Sequence, residues 1–360
     1  MKRSPIYLIY VLFLCFSCTD EPDLILRENT TVELHQPWIS SSPESVELDG
    51  RLINIAKSEA GKLPRMRSLL VIKNGYLVSE SYFNGASRNT LFDVRSVTKS
   101  IVATLTFIAL ENGDLESLDK KMTLSPDYSL TADQQEITFR HLLSMSSGFE
   151  WDEWTSDMYA EWVTNPDQIQ YVLDQPMVNT PGSVFTYNSG AVHLLGHALA
   201  TEVNETLEDY AMSNLFTPLG IQEVRWEQLR TGPNSGAGIQ LRGRDLARIG
   251  QLYLQEGYSG TSTLISANAI EDITSPKFDF RSTFGKVSGI SYGYLWWTID
   301  SQIDAFLAWG YGGQYILVVP SKNLVVVATT DWTFLSAEGG PADLERSVLD
   351  LIFKNIVNQQ

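Results

Sequence analysis

The sequence predicts an α/β protein in which one antiparallel sheet, built from strands at both ends of the chain and flanked by helices, carries an inserted mostly helical domain. Three observations predict this. Apolar, β-branched stretches occur early, in "SLLVIKNGYLVSESYF", and late, in "SYGYLWWTI", "AFLAWG", "GQYILVVP" and "LVVVATT". Between them, from about Leu115 to Pro276, helical spacings alternate with Pro- and Gly-containing loops, as in "ITFRHLLSMSSG", "AVHLLGHALATEV", "LEDYAMSNLFTPLG" and "RDLARIGQLYLQEG". Helical patterns also border the two strand-rich ends, one following Val46 and one in "DLERSVLDLIFKNIV".

At 360 residues, with 43% hydrophobic and 11% aromatic side chains, the chain is long and apolar enough for a real core. Its formal charge of −17 is spread along the whole length. That disfavours nucleic acid or an anionic membrane as a partner, because both repel acidic surfaces.

The elements follow in order. Residues 1–18, "MKRSPIYLIYVLFLCFSC", pair a basic start (Lys2, Arg3) with an apolar run from Ile6 to Phe16, too short to span a bilayer but right for export. The run ends at Cys18, before the acidic "TDEPDL", and so resembles a bacterial lipoprotein signal in which that cysteine is lipidated. Cys15 and Phe16 stand where small residues are usual, and plain cleavage is the other reading. The expected location is the periplasm or outer cell envelope, with the membrane met only through a lipid on Cys18. Both cysteines lie in this segment, so the mature chain has no thiol for an internal disulfide, a cysteine nucleophile or a thiolate metal site.

Residues 19–45 are polar and read as a tether. An α/β domain is expected over 46–115 and 285–360, with 116–284 inserted. Val46, Leu48, Leu52, Ile53 and Ile55 to Ala56 fit a helix better than a strand. Asn74-Gly75 is the dipeptide that most readily takes the positive φ angles of a two-residue hairpin turn. In "SVTKSIVATLTFIALENGDL", residues Val97, Ile101, Val102, Leu105, Ile108 and Ala109 share a helix face, and Asn112-Gly113 stops it. Leu344, Val348, Leu351 and Ile352 form the inner face of the final helix.

The chemistry lies at "RSVTKS". On a helix, Ser96 and Lys99 fall three positions apart on one face, at an N-terminal turn whose free N–H groups point outward. A serine hydroxyl is a weak nucleophile and needs a base. Lysine serves only when burial or a second cation lowers its pKa, and moving it from about 10.4 toward 7 takes roughly 4–5 kcal/mol. Alone, the pair reads better as a helix cap beside a solvated lysine. Two further segments bear on it. In "FTYNSG", Tyr187 stands at a loop-to-helix junction, where a phenol can share a proton with Lys99 and act as base, then acid. In "AWGYGGQYILVVP", glycines at 310, 312 and 313 precede a strand, where glycine can admit a ligand close to the backbone and an edge N–H can complete an oxyanion hole with that of Ser96; the other reading is a plain hairpin turn.

Ser96-Val97-Thr98-Lys99, Tyr187 and the glycine-rich strand entry, in this order, resemble the penicillin-recognising serine hydrolases: class C β-lactamases, D-alanyl-D-alanine carboxypeptidases and related esterases and amidases. "LFDVRSVTKSIVATL", "ITFRHLLSMSSGFEW", "LFTPLGI", "RGRDLARIGQLYLQEG", "YGYLWW" and "WGYGGQYILVVP" extend the likeness over nearly the whole mature chain. Two departures stand out. The second motif, Y-x-N in class C, is Tyr187-Asn188-Ser189 here, and the lysine of K-T-G is absent, with Trp309-Gly310 in its place. Both departures are similar to the nylon-oligomer (6-aminohexanoate-dimer) hydrolase and esterase branch.

The resemblance implies a β-lactamase/transpeptidase-like fold and a double displacement through an acyl-enzyme on Ser96, with Lys99 and Tyr187 as general base and acid. It puts the oxyanion N–H groups on Ser96 and Tyr311 and makes Ser189, Trp309 and Gly310 substrate contacts. Without the motif's lysine, a charge-assisted grip on a carboxylate is missing, so Trp309 suits an acyl chain or ester better than an anion. The expected partner is a small ester or amide. The alternatives are β-lactamase or D-Ala-D-Ala carboxypeptidase activity, or a non-catalytic envelope binding protein.

Other chemistries lack residues. His193 and His197 have i, i+4 spacing, but no glutamate follows His193 as a zinc protease needs, so both read as packing or surface residues. No G-x-S-x-G elbow, P-loop or strand-borne G-x-G-x-x-G is present, and no cofactor is expected. Trp151, Trp154 and Trp162 read as core packing ahead of substrate stacking.

Overall fold

The computed structural model describes residues 31–301, 303–333 and 340–359. The expected export signal, with Cys15 and Cys18, lies outside them, as does the first part of the tether, residues 19–30. The end of the tether does not behave as a free linker. Leu34 is buried, its N–H donates to the Ser259 carbonyl (2.9 Å), and Ser40 bridges Leu77 of the sheet. Apolar Leu34 and Trp38 anchor this stretch, which the polar composition of its neighbours obscures.

Eight strands make one antiparallel sheet. From the N-terminal part come β1 (Met66–Lys73) and β2 (Tyr76–Tyr82); from the C-terminal part come β3 (Ser282–Phe284), β4 (Val287–Tyr292), β5 (Trp297–Asp300), β6 (Asp304–Gly310), β7 (Gln314–Val319) and β8 (Leu324–Thr330). Their spatial order is β2-β1-β8-β7-β6-β5-β4-β3. The two ends of the chain meet where β1 pairs with β8, with Leu70 opposite Val327. Asn74 and Gly75, at φ +52° and +80°, make the expected two-residue hairpin turn between β1 and β2.

Alternation along the strands feeds two cores. Leu70, Ile72, Ile316, Val318, Val325 and Val327 point to one face, and Leu69, Val71, Leu317, Val319, Val326 and Ala328 to the other. Helices cover both. In chain order these are α1 (Gly50–Ala60), α2 (Val97–Asn112), α3 (Ser189–Val203), α4 (Gly243–Leu254) and α5 (Pro341–Ile352). α1 and α5 lie on the second face through Ile53, Ala56, Val348 and Ile352, whereas α2 and α4 lie on the first through Ile101, Leu105, Leu246 and Ile249. Each such aliphatic residue contributes roughly 1.5–3 kcal/mol by burial, and β7 and β8, covered on both faces, are buried throughout and mostly apolar, not alternating.

The division expected at 116–284 is not how the chain packs at its C-terminal side. Helix α4 sits directly on the sheet, and Ser282–Phe284 is the sheet's edge strand. The helical pattern of α4 is the same whether it packs on helices or strands, so its spacing does not reveal its partner. Gly250 explains the close approach: a Cβ there would lie 2.6 Å from Val325 Cγ1 and 2.8 Å from Ile316 Cγ2. Gly250→Leu is therefore expected to overpack this layer and lower stability by about 1–3 kcal/mol, read as a reduced urea midpoint at unchanged m-value.

Candidate active site

Ser96 stands at the start of α2, and three features of the preceding residues place it. A short strand, Phe92–Asp93, pairs with Ile239–Leu241. Arg95 then takes a left-handed conformation (φ +50°), which costs on the order of 1 kcal/mol and turns the chain sharply into the helix. Asp93 Oδ1 accepts the Arg95 N–H (3.0 Å), and the Arg95 guanidinium lies 4.4 Å from the centre of the Trp332 ring while donating to Tyr159 Oη (3.1 Å).

The helix-cap reading of Ser96 fails, because its side chain makes no capping hydrogen bond. Lys99 Nζ instead lies 2.9 Å from Ser96 Oγ and 2.6 Å from the Gly236 carbonyl oxygen. Gly236 comes this close because it has no side chain: a Cβ would meet the Ser189 carbonyl oxygen at 2.7 Å. Asn234 Oδ1 fixes the loop by accepting from the N–H groups of Gly236 and Ala237 (both 3.1 Å), and Thr98 Oγ1 accepts from Ile239 N–H (3.1 Å).

Lys99 is 1% exposed with no carboxylate in contact. Burial drives its pKa down to about 8, Glu153 pulls it back up, and nearby Arg95 lowers it further. A shift of that size amounts to roughly 3 kcal/mol against the ammonium. Both routes the sequence requires, burial and a second cation, are therefore present, with burial the larger.

Tyr187 joins them. Its phenol lies close enough to Ser96 for that side chain to lower its pKa, and Lys99 Nζ lies 5.0 Å from its ring centre. Burial and Glu153 push the phenol well above its ordinary range, against the Ser96 contact. At neutral pH the arrangement is thus a neutral phenol and a readily deprotonated amine on one hydroxyl. The ring is held between Trp154 (centroids 5.2 Å) and Trp297 (6.1 Å, near-parallel). Trp154 differs here from Trp151 and Trp162: those two are buried as expected, whereas Trp154 is 66% exposed. A solvent-facing indole against Tyr187 serves as a wall, not as core.

Two expected substrate contacts have other employment. Ser189 is buried; its N–H donates to Glu153 Oε2 (2.8 Å) and its hydroxyl to Glu153 Oε1 (2.7 Å), so its one hydroxyl proton is committed within the protein. Gly310 does allow a close approach, but of the protein's own backbone: a Cβ there would lie 2.2 Å from the Val94 carbonyl oxygen. That contact packs the end of β6 against the segment leading to Ser96. Trp309, half-buried, stacks with Phe284 (4.7 Å) and Trp297 (5.3 Å), which extends the aromatic surface from Tyr187 to the sheet edge. Tyr311 opens the turn between β6 and β7; the charges of Arg95 and Glu345 both act on it, and its side chain is 42% exposed.

His193 and His197 take no part. His193 is buried, bonded to Thr231 Oγ1 (2.8 Å) and packed edge-on to Trp162, and burial holds it neutral with a pKa of about 3.

Sequence reasoning missed Glu153 and Gly236. Glu153, inside "WDEW", accepts from both groups of Ser189 and from Trp151 Nε1 (2.8 Å). Its flanking tryptophans were the available signal. Gly236 acts through its carbonyl, which every residue possesses, so no side-chain pattern marks it.

A family model described as "Beta-lactamase" matches residues 64–348. Among solved structures, a Bacillus anthracis protein assigned as a 6-aminohexanoate-dimer hydrolase aligns over 82% of this chain and 81% of its own, with 20% identity and a TM-score of 0.68. The octameric penicillin-binding protein homologue from Pyrococcus abyssi aligns over 85% and 77%, with 21% identity and a TM-score of 0.65. EstCE1, a hydrolase with promiscuous acyltransferase activity, aligns over 86% and 99%, with 15% identity and a TM-score of 0.65. At these identities the likeness carries the fold.

Because Glu153 raises the Lys99 pKa, Glu153→Gln is expected to move the pH midpoint of Ser96 labelling by a fluorophosphonate below that of the wild type. Labelling rates across pH 6–10 measure it. A midpoint that stays put or moves up contradicts the electrostatic role given to Glu153.

Proposed function

The chain belongs to the beta-lactamase family of serine hydrolases, and from that premise we propose that it cleaves a small, uncharged ester or amide through an acyl-enzyme on Ser96. The single observation that carries this reading is the buried Lys99 amine, its pKa held at about 8, lying 2.9 Å from Ser96 Oγ. Neutral Lys99 takes the hydroxyl proton as Oγ bonds to the substrate carbonyl carbon. The oxygen that gains charge is met by the N–H groups of Ser96 and Tyr311. On collapse, the leaving alcohol or amine takes a proton from the Tyr187 phenol, and the Lys99 ammonium restores that proton. Water then attacks the acyl carbon by the reverse relay and frees Ser96.

Charge supports an uncharged substrate. Glu153 places a carboxylate close enough to act on both Lys99 and Tyr187, and Trp309 stands where the related motif carries a cation. An anionic substrate would therefore meet repulsion without a charge-assisted grip. The rings of Trp154, Tyr187, Trp297 and Trp309 offer an apolar surface for an acyl or alcohol group. The basic start, apolar run and Cys18 of residues 1–18 support export to the periplasm or outer envelope, with lipid on Cys18. The mass of the mature N-terminal peptide tests that part.

Purified protein treated with a fluorophosphonate is expected to carry the adduct on Ser96, and Ser96→Ala to carry none. p-Nitrophenyl butyrate is expected to turn over well and nitrocefin barely; the reverse ranking contradicts the charge argument. Since neutral Lys99 is the active form and its pKa is about 8, kcat/KM for the ester should rise with pH through about 8 and fall away below it. Lys99→Ala should lower kcat/KM by on the order of 10³-fold or more.

A further inference from the structure

Glu345 is a buried carboxyl that the proposed mechanism does not use. It sits in the second turn of α5, 9% exposed, directly beneath the turn joining β6 to β7. Its Oε1 accepts the Gly312 N–H at 2.6 Å, and the Trp309 side chain lies close enough to lower the pKa of its carboxyl. The Tyr315 hydroxyl donates to its backbone carbonyl (3.1 Å), tying the same point of α5 to β7. The rest of the turn is held from the other side: Thr330 Oγ1 donates to the Gly312 carbonyl (2.6 Å), and Gln314 Nε2 donates to Thr330 Oγ1 (2.8 Å). Gly312 and Gly313 lie at φ +82° and +100°, where the backbone has no preference of its own to hold its shape. Glu345 therefore engages the residues on either side of Gly310-Tyr311, Gly312 by a hydrogen bond and Trp309 by proximity. Fixing them fixes the plane of the peptide that carries the Tyr311 N–H.

We infer that Glu345 is a positioning residue, which holds the Tyr311 N–H and the Trp309 ring in register for the reaction at Ser96 by accepting the Gly312 N–H and lying against the Trp309 side chain. The inference rests on the reading of Ser96 and Tyr311 given above. Burial pushes the Glu345 carboxyl up to about 7 against the pull of these two neighbours, so its desolvation is offset by them and by no cation. A carboxyl tolerated there at such a cost has a reason to be there beyond packing. It touches no reacting atom.

Glu345→Ala, Glu345→Gln and Glu345→Asp are compared with the wild type for p-nitrophenyl butyrate hydrolysis, each normalised to folded protein by circular dichroism and melting temperature. Alanine removes the acceptor; glutamine keeps one acceptor oxygen at the same reach; aspartate withdraws it by one methylene. The expected result is a kcat about 10–100-fold lower for alanine with KM within about threefold, and a kcat for glutamine within about fivefold of the wild type. If the alanine variant does not fold, aspartate takes its place, with an expected fall in kcat of about tenfold or more. Unchanged kcat in folded alanine or aspartate variants overturns the inference, as does a glutamine variant as impaired as alanine. Fluorophosphonate labelling of Ser96 in the wild type separates the two failures. Absent labelling sinks the reading of the site, whereas labelling with kcat indifferent to position 345 sinks only the role of Glu345.

Discussion

A lysine amine stripped of water is the constraint on which the site depends. Lys99 is surrounded by protein, and its amine reaches two oxygens, the hydroxyl of Ser96 and the carbonyl of Gly236. In water an ammonium at pH 7 has no lone pair to offer; buried here, it gives one up at moderate cost. The neighbours preserve this dry setting. Gly236 lacks a side chain, so its carbonyl can arrive, and Asn234 fixes the loop that brings it. Arg95 adds a positive charge that acts on Lys99, and its guanidinium is paired with Asp93 and lies over the Trp332 ring.

The second constraint is mechanical. Ser96 begins a helix on one side of the sheet, and the turn with the proposed oxyanion donor hangs from strands on the other side of the Val94 segment. They are held in register because β6 ends in Gly310, whose missing side chain leaves room for the Val94 carbonyl. The pairing of β1 with β8 closes the chain ends on each other, so the N-terminal loop bearing Ser96 and the C-terminal strands share one rigid frame. Packing of this kind transmits small displacements, since close-packed interiors have little free volume to absorb them.

Specificity follows from charge and aromatic surface together. Glu153 supports the start of α3 through Ser189 and, in doing so, sets a negative charge beside Lys99 and Tyr187. On the proposed reading, the same carboxylate does a structural task and biases the cleft against anions. From Trp154 through Tyr187 and Trp297 to Trp309, indole and phenol rings lie within about 5–6 Å of one another, the usual spacing of favourable ring pairs. The proposed preference for uncharged acyl groups is the joint outcome of these two features.

The sequence by itself determined the sheet-and-helix layout, the Asn74-Gly75 hairpin and the helix that carries Ser96 and Lys99, whereas Tyr187 was joined to them only as what the resemblance implies. Those are local facts: turn dihedrals, apolar periodicity, and side chains whose chemistry is visible in their names. The tertiary structure alone decided what surrounds them. That Ser189 serves Glu153, that Gly310 yields to Val94, that Trp154 faces solvent while Trp151 and Trp162 do not, and that α4 rides on the sheet all depend on which distant segment arrives in each space. Backbone carbonyls such as that of Gly236 leave no mark in sequence, because every residue has one. The pKa of Lys99 likewise belongs to its surroundings, since desolvation is set by the atoms that fold around an amine and not by the residues adjacent to it in the chain.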